Sequence, residues 1–559
     1  PPRSTLFPYT TLFRSYNEFG SGSPDIVAIR DFVKMCYDKN GPDVLKYLLL
    51  FGDASYDYRN TLGLGQNFVP TYENENSTNL SESFDSDDFF GLLDDNEGEG
   101  CSGLLDIGIG RFVVKTPTEA QQMVDKTIRY CSKTDLTRSL PDVISNFGDW
   151  KNMITVIGDD ENNNTHLETA MALCDSVEKN YPKYNLEKIF LDAYPQVSNS
   201  GGQRYPDVEN AINERMRKGT LLMAYVGHGG EVGWAHERIL RISDITGWQN
   251  KYNLPVMFTA TCEFTRYDDP SRVSAGEMVH LNANGGAVAL FTTSRLAWSH
   301  TNDKLGKNFF NNAFAESTNS QYNTLGSLIR ISKNLDPSGW SSLRNFVLIG
   351  DPSIPLAFPK YEVKTTYINQ NPISAKTSTV LAKGKSISEK GDHNSKSPSD
   401  TLKALSAASI IGIITDHTNT KLTNFNGEIM VTVYDKPSIL RTLGNDPDSY
   451  PVDFTYQKNI IFKGKAKVTN GDFEVSFIVP KDISYNYGQG KISYYAKCDT
   501  ADANGYFSDF IVGGYSDNPV IDNTPPTINL FLNDEHFVNT GLTNENPQFI
   551  AQVSDSSGI

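Results

Sequence analysis

Apolar and polar positions follow two regimes along the chain. Up to about residue 359, short apolar runs alternate with stretches whose apolar positions recur at helical spacing. Asp25 to Lys39 is of the second kind, with Ile26, Ile29, Phe32, Val33 and Cys36 on one face after a Ser23-Pro24 start. Tyr47 to Phe51 is a continuous apolar run ending at Gly52-Asp53, the pattern of a strand buried on both faces of a parallel sheet. Leu105 to Val114 again has strand character. From Met153 the alternation is regular. Strands are predicted at Met153–Ile157, Leu186–Leu191, Leu221–Val226, Pro255–Thr259 and Ala287–Thr292, with helices at Thr165–Lys179 and Asp207–Lys218. This order predicts an α/β fold, a parallel sheet covered by helices, whose ligands collect beyond the carboxyl ends of the strands.

After Pro359 the helical period fades. Gly427–Tyr434, Asn459–Val468, Phe473–Ile478 and Gly490–Ala496 are β-type segments separated by Gly, Asn, Asp and Pro, as in an Ig-like β-sandwich. The division expected is an N-terminal α/β subdomain at 16–140, a second at 141–359, the sandwich at 360–520 and the start of a further β domain at 521–559. Ser/Lys-rich 383–400 is expected to be a disordered insertion. Phe7 to Ser15 reads as the translation of a sequencing adapter, so 1–15 is expected to be a non-native start and the chain a fragment.

Composition narrows the function. A formal charge of -17 over 559 residues opposes phosphate contacts and disfavours a nucleic-acid partner. The six cysteines are scattered without a C-x-x-C, which indicates neither a zinc site nor a dense disulfide framework. The longest weakly polar run, Ala404 to Ile414, is shorter than the ~20 residues a membrane-spanning helix needs. The acidic stretch from Tyr72 to Gly103 reads as a solvated loop, with a structural Ca²⁺ site as the sharper alternative because clustered carboxylates are hard-oxygen ligands.

Two strand ends carry chemistry. LLMAYVGHGGE runs an apolar strand into Gly227-His228-Gly229-Gly230, and LPVMFTATCEF ends another in Thr261-Cys262-Glu263. His228 and Cys262 are 34 positions apart, enough for one crossover between adjacent parallel strands. A free thiol with a pKa of ~8.5 is mostly protonated at neutral pH; a neighbouring imidazole removes that proton and later returns it to a leaving amine. The N–H groups of Gly229 and Cys262 are candidates for an oxyanion hole. GHGG lacks the Lys-Ser/Thr of a phosphate loop. His236 and His300 read as loop surface residues, without metal-ligand spacing.

This pair of strand ends resembles the cysteine-peptidase group of caspases, legumain and gingipains. Leu48 to Asp57, Val69 to Glu73, Ser86 to Asp94, Ile107 to Ala120 and Val347 to Leu356 make the resemblance specific to gingipain-like peptidases. The β-rich continuation with GEIMVTVYDKP (Gly427 to Pro437) is most similar to the surface sortases of the Bacteroidetes type IX secretion system. The resemblance implies a His228–Cys262 dyad and a carboxylate that orients the histidine, for which Asp159 is favoured over Asp160. It implies a pocket position at Asn163, where Arg-specific relatives carry an acid, and a pocket wall at Trp298. It further implies no cofactor for catalysis and a location on the outer-membrane surface of a Gram-negative bacterium. The partners implied are protein substrates with C-terminal sorting domains, surface lipopolysaccharide as acceptor, and other type IX components. The alternatives are a purely hydrolytic protease and a non-catalytic surface adhesin.

Overall fold

The computed structural model describes residues 8–555 apart from 66, 77, 80, 135–145, 317–321, 337–342, 374–400, 521–524, 534–535, 544, 546 and 548. The expected insertion at 383–400 and the expected boundary at 140 lie outside the described residues. The chain forms two compact units, one running to Phe358 and including Ile439–Phe454, the other comprising Pro359–Ser438 and Thr455 onward.

Eight strands build the sheet of the first unit: β1 (Tyr47–Phe51), β2 (Gly108–Phe112), β3 (Met153–Gly158), β4 (Asn185–Phe190), β5 (Leu222–Val226), β6 (Val256–Ala260), β7 (Ala289–Thr293) and β8 (Phe346–Ile349). Their order is β1-β2-β8-β7-β6-β5-β3-β4. Among these eight described strands the antiparallel neighbours are β7 and β8, so two parallel blocks meet at that seam and strands from both expected subdomains share one sheet. Central β5, β6 and β7 are buried at every position, which explains their unbroken apolar runs. β1 corrects an expectation. It is parallel but lies at the sheet edge, where Leu50 is buried, Leu48 and Leu49 on opposite faces are partly covered, and Phe51 is 39% exposed.

Helices pack against the sheet. α1 (Pro8–Phe19) and α2 (Ile26–Asn40) come first, the latter capped by the Asp25 carboxylate accepting from Val27 N–H. α3 (Pro117–Tyr130) opens with a Thr116/Glu119 capping box and Pro117 in its first turn. α4 (Thr165–Asn180) and α5 (Pro206–Lys218) are the crossovers that follow β3 and β4. Ile157, Met223, Tyr225, Trp234, Met257, Leu290 and Ile349 belong to one core cluster.

The acidic loop is a second correction. Asp85, Asp87 and Asp88 are buried, not solvated, because each meets a buried cation from distant sequence. Asp85 pairs with Arg295 at 2.8 Å, Asp87 with Arg111 at 2.6 Å, and Asp88 with Lys333 at 2.6 Å and Arg344 at 2.8 Å. Asp94, Asp95 and Glu99 are exposed as expected. Among the described residues, no cluster of three His, Cys, Asp or Glu ligand atoms within 4.8 Å of one another includes a residue of this loop.

In the second unit β9 (Tyr361–Ile368), β10 (Ala407–Thr415), β11 (Gly427–Tyr434), β12 (Ile460–Val468), β13 (Asp472–Ile478), β14 (Lys491–Lys497) and β15 (Asp502–Phe507) pair in the order β12-β11-β14-β15-β9-β10-β13. A smaller sheet of Thr401–Ala404, Ile511–Tyr515 and Gly488–Gln489 contributes Leu402 and Val512 to the same core, giving two layers.

Arg111 is fully buried and bonds Asp87 through two nitrogens and the carbonyls of Gly52 and Val69. Arg111→Met strips all of these acceptors and is expected to destabilise the first unit by about 3–5 kcal/mol, read as a lower midpoint in chemical denaturation. An unchanged midpoint would contradict the pairing.

Candidate active site

The site is built where β3, β5 and β6 end. Val226 of β5 lies opposite Ala260 of β6, and Gly227 N–H continues the ladder to the Ala260 carbonyl at 3.3 Å. Two residues beyond each register partner stand His228 and Cys262, so both leave neighbouring parallel strands at the same level of the same rim. On the other side of β5, Asp159 N–H donates to the Val226 carbonyl at 3.0 Å, and the Asp159 carboxylate accepts from His228 N–H at 2.6 Å. Gly227 is required there, because a Cβ would overlap the Asp159 side chain and the Tyr225 hydroxyl. Past His228 the chain enters a short ribbon, Gly229–Gly230 against Gly233–Trp234. A Cβ on Gly229 would stand 2.6 Å from Thr261 Oγ1 and 2.9 Å from the Gly233 carbonyl, so only glycine lets the ribbon lie this close to β6.

The thiol is held on a strained turn. Glu263 has φ 32°, in the left-handed region, and its N–H donates to the Arg295 carbonyl at 3.1 Å. Thr293 Oγ1 donates to the Thr261 carbonyl, and the Cys262 thiol donates to the Ala297 carbonyl at 3.7 Å. Burial pushes the Cys262 thiol above its ordinary value, and the Glu263 charge adds to the rise. Burial pushes the His228 imidazole down, against the opposing pull of Glu161 and Asp448. Both groups therefore rest neutral near pH 7.

A turn of three asparagines sets what surrounds the imidazole. Asn162, Asn163 and Asn164 all have positive φ (59°, 54° and 62°), a conformation asparagine tolerates better than most residues. The turn presents Asn162 Nδ2 to His228 Nε2 at 2.9 Å and to His166 Nε2 at 3.2 Å. It also sets Glu161 Oε2 3.4 Å from His228 Nε2, while Glu161 Oε1 bonds His236 Nδ1 at 2.7 Å. The His236 ring stacks on His228 at 5.1 Å, and His166 meets it edge-on at 5.0 Å. His228 Nδ1 has no hydrogen bond among the described residues.

Ile439–Phe454 packs in this unit and fastens that turn. Asp448 accepts from Asn162 N–H at 3.1 Å, and Asn164 exchanges two bonds with the Tyr450 backbone at 2.7 and 3.2 Å. Farther along, buried Asp192 accepts from the N–H groups of Gly444 and Asn445 at 2.8 and 2.7 Å.

The expected site residues thus fall as follows. His228, Gly229 and Cys262 share one rim. Asp159 does not reach the imidazole; it holds the histidine's backbone, and Asp160 accepts from the Tyr205 hydroxyl. The carboxylate at the ring is Glu161, next in the same Asp-Asp-Glu run, and the Asn-Asn-Asn turn that aims it was the available signal. Asn163 is exposed on that turn. Trp298, half exposed, follows the residue whose carbonyl accepts the thiol. His236, read as a surface residue, is exposed yet bonded to Glu161. Asp159, Asp160 and Glu237 form a buried carboxylate group with ligand oxygens within 4.8 Å of one another. Burial pushes Asp160 up to about 7.

Peptidase family C25 matches residues 8–357. Among solved structures the chain is similar to the Arg-specific cysteine proteinase gingipain R, with 16% identity over 88% of each chain and a TM-score of 0.47. It is similar to the complex of Porphyromonas gingivalis RgpB pro- and mature domains, with 15% identity over 89% of this chain and 92% of the other and a TM-score of 0.46. It is also similar to dimeric latent PorU from Porphyromonas gingivalis, with 25% identity over 97% of this chain and 44% of that one and a TM-score of 0.36. No curated protein matches it.

Glu161 raises the pKa of both His228 and His236, through its charge for the first and chiefly through its hydrogen bond for the second. Glu161→Gln removes the charge, so both imidazoles are expected to titrate at lower pH in an NMR titration. Unmoved His228 would place the orienting carboxylate elsewhere.

Proposed function

The chain belongs to peptidase family C25, and from that premise we propose that it is a cysteine endopeptidase whose thioester intermediate forms on Cys262. The observation that carries this reading is the shared register of β5 and β6, which brings an imidazole and a thiol to one rim. With its proton on Nε2, facing the Glu161 carboxylate, His228 keeps the Nδ1 lone pair free to act as the base. In the proposed step Nδ1 takes the thiol proton, Sγ attacks the peptide carbonyl carbon, and the N–H groups of Gly229 and Cys262 receive the oxyanion. Collapse breaks the C–N bond, the amine leaves with the proton from His228, and the acyl group stays on sulfur.

The finer reading is a type IX sortase. It rests on the likeness of GEIMVTVYDKP and the β-rich continuation to the surface sortases. On this reading the substrate is cargo with a C-terminal sorting domain, and the acyl group passes to an amine of surface lipopolysaccharide, on the outer-membrane surface. Asn163 offers no charge to a basic side chain, so a strict Arg or Lys requirement is not expected. Among the described residues no helix is long and apolar enough to cross a membrane.

Cys262→Ala is expected to lower kcat/KM for peptide cleavage by at least about a thousandfold with folding intact. Retained cleavage would end the reading. Because only the neutral imidazole accepts the proton and burial lowers its pKa, the acid limb of kcat/KM is expected below pH ~6.5; a limb above pH 7 would contradict a neutral resting base. With sorting-domain cargo and lipopolysaccharide together, mass spectrometry is expected to find cargo joined to the glycan amine, and cargo ending only in a free carboxylate would make the enzyme a hydrolase.

A further inference from the structure

Three of the chain's eight histidines gather at one point, His166, His228 and His236, and two of them share a carboxylate. Peptide cleavage as described uses His228 and its Glu161 contact but leaves His236 without a chemical role. His236 is 70% exposed on its side chain, yet it stacks on His228 and bonds the free oxygen of Glu161. The coordinating atoms of Glu161, His228 and His236 all lie within 4.8 Å of one another.

The donor set decides which ion fits. Two imidazole nitrogens and one carboxylate are the ligands of open zinc sites, whereas Ca²⁺ and Mg²⁺ prefer oxygen throughout. With metal–ligand bonds of about 2.0–2.2 Å, neighbouring ligand atoms around a tetrahedral zinc stand roughly 3.3 Å apart. The separation of Glu161 Oε2 from His228 Nε2 is 3.4 Å. His236 and Glu161 Oε1, at 2.7 Å, are at hydrogen-bond distance and need only part slightly. The Asn162 amide now on His228 Nε2 would give way, and the fourth position stays open to water.

We propose that Glu161, His228 and His236 form an inhibitory binding site for zinc or a zinc-like divalent transition metal, and that its occupancy switches the peptidase off. The regulatory half of this inference rests on the peptidase reading above; the binding half does not. Zinc on Nε2 takes that nitrogen's lone pair and fixes the remaining imidazole proton on Nδ1. His228 then has no lone pair to receive the Cys262 proton, so thioester formation stops before the thiol is activated. The thiol itself is not among the ligands, which separates this site from simple capture of zinc by a cysteine–histidine pair.

The test uses the full chain carrying Cys262→Ala, with ZnCl₂ followed by calorimetry and CoCl₂ by visible absorption. One ion is expected to bind per chain, with a cobalt spectrum of nitrogen and oxygen ligation and no thiolate charge-transfer band. Adding His236→Ala is expected to weaken binding at least tenfold, with circular dichroism unchanged because the side chain is exposed; Glu161→Gln is expected to weaken it likewise. In the Cys262 protein, zinc is expected to suppress cleavage, and His236→Ala to raise the inhibitory concentration by the same factor. Binding that vanishes with Cys262→Ala, or that ignores both His236→Ala and Glu161→Gln, would overturn the site. Binding is read without turnover, so a protein that binds zinc as predicted but cleaves nothing would leave the site standing and overturn the switch together with the peptidase reading.

Discussion

The arrangement depends on one hydrogen bond, from the backbone N–H of His228 to the buried carboxylate of Asp159. Past Gly227 the β5 ladder has run out, and the His228 carbonyl accepts from the Tyr225 hydroxyl at 2.5 Å and from Ala235 N–H at 2.8 Å, which leaves its N–H to be held from the other side. Asp159, itself tied to Val226 across the sheet, supplies that anchor at a point where Gly227 leaves no side chain in the way. The cost is a carboxylate removed from water beside Asp160 and Glu237, and its pKa is raised well above the usual range by burial and by these like charges. The same anchor that holds His228 thus gathers three buried acids directly behind it.

Around this point the fold spends buried charge on placing elements relative to each other. Arg295, next to the β7 end, bonds Asp268 through both terminal nitrogens and pairs with Asp85 of the acidic loop; its carbonyl takes the Glu263 N–H beside the thiol. Arg111 and Arg344 draw Asp87 and Asp88 into the other parallel block. Such pairs add little net stability against apolar replacements, but each broken one leaves a stranded charge. They tie the thiol turn and the acidic loop to specific partners. The Ile439–Phe454 segment does the same for the asparagine turn, through two bonds between the Asn164 amide and the Tyr450 backbone and one from Asn162 N–H to the Asp448 carboxylate.

How much was legible follows from this physics. β5, β6 and β7 announce themselves because both faces are covered, and their ends mark His228 and Cys262 without further information. Edge strand β1 carries the same apolar run but is only partly covered, which periodicity does not distinguish. Asp85, Asp87 and Asp88 look like surface acids because their cations come from 24 to 256 positions away. Which acid of Asp159-Asp160-Glu161 faces the ring turns on three consecutive left-handed residues, a geometry that the asparagines permit but that spacing alone does not specify. Ile439–Phe454 was invisible for the same reason as the ion pairs: every bond it makes to the site spans more than two hundred residues.

The central claim is that the Cys262 sulfur becomes acylated through the His228 base. Its most direct measurement is acid-quenched peptide mapping by mass spectrometry after mixing the protein with a slowly turned-over ester or peptide substrate. The account predicts an acyl adduct on Cys262, on none of the other five cysteines, and its loss in His228→Ala. An adduct on another residue, or one that accumulates as fast without His228, would contradict it.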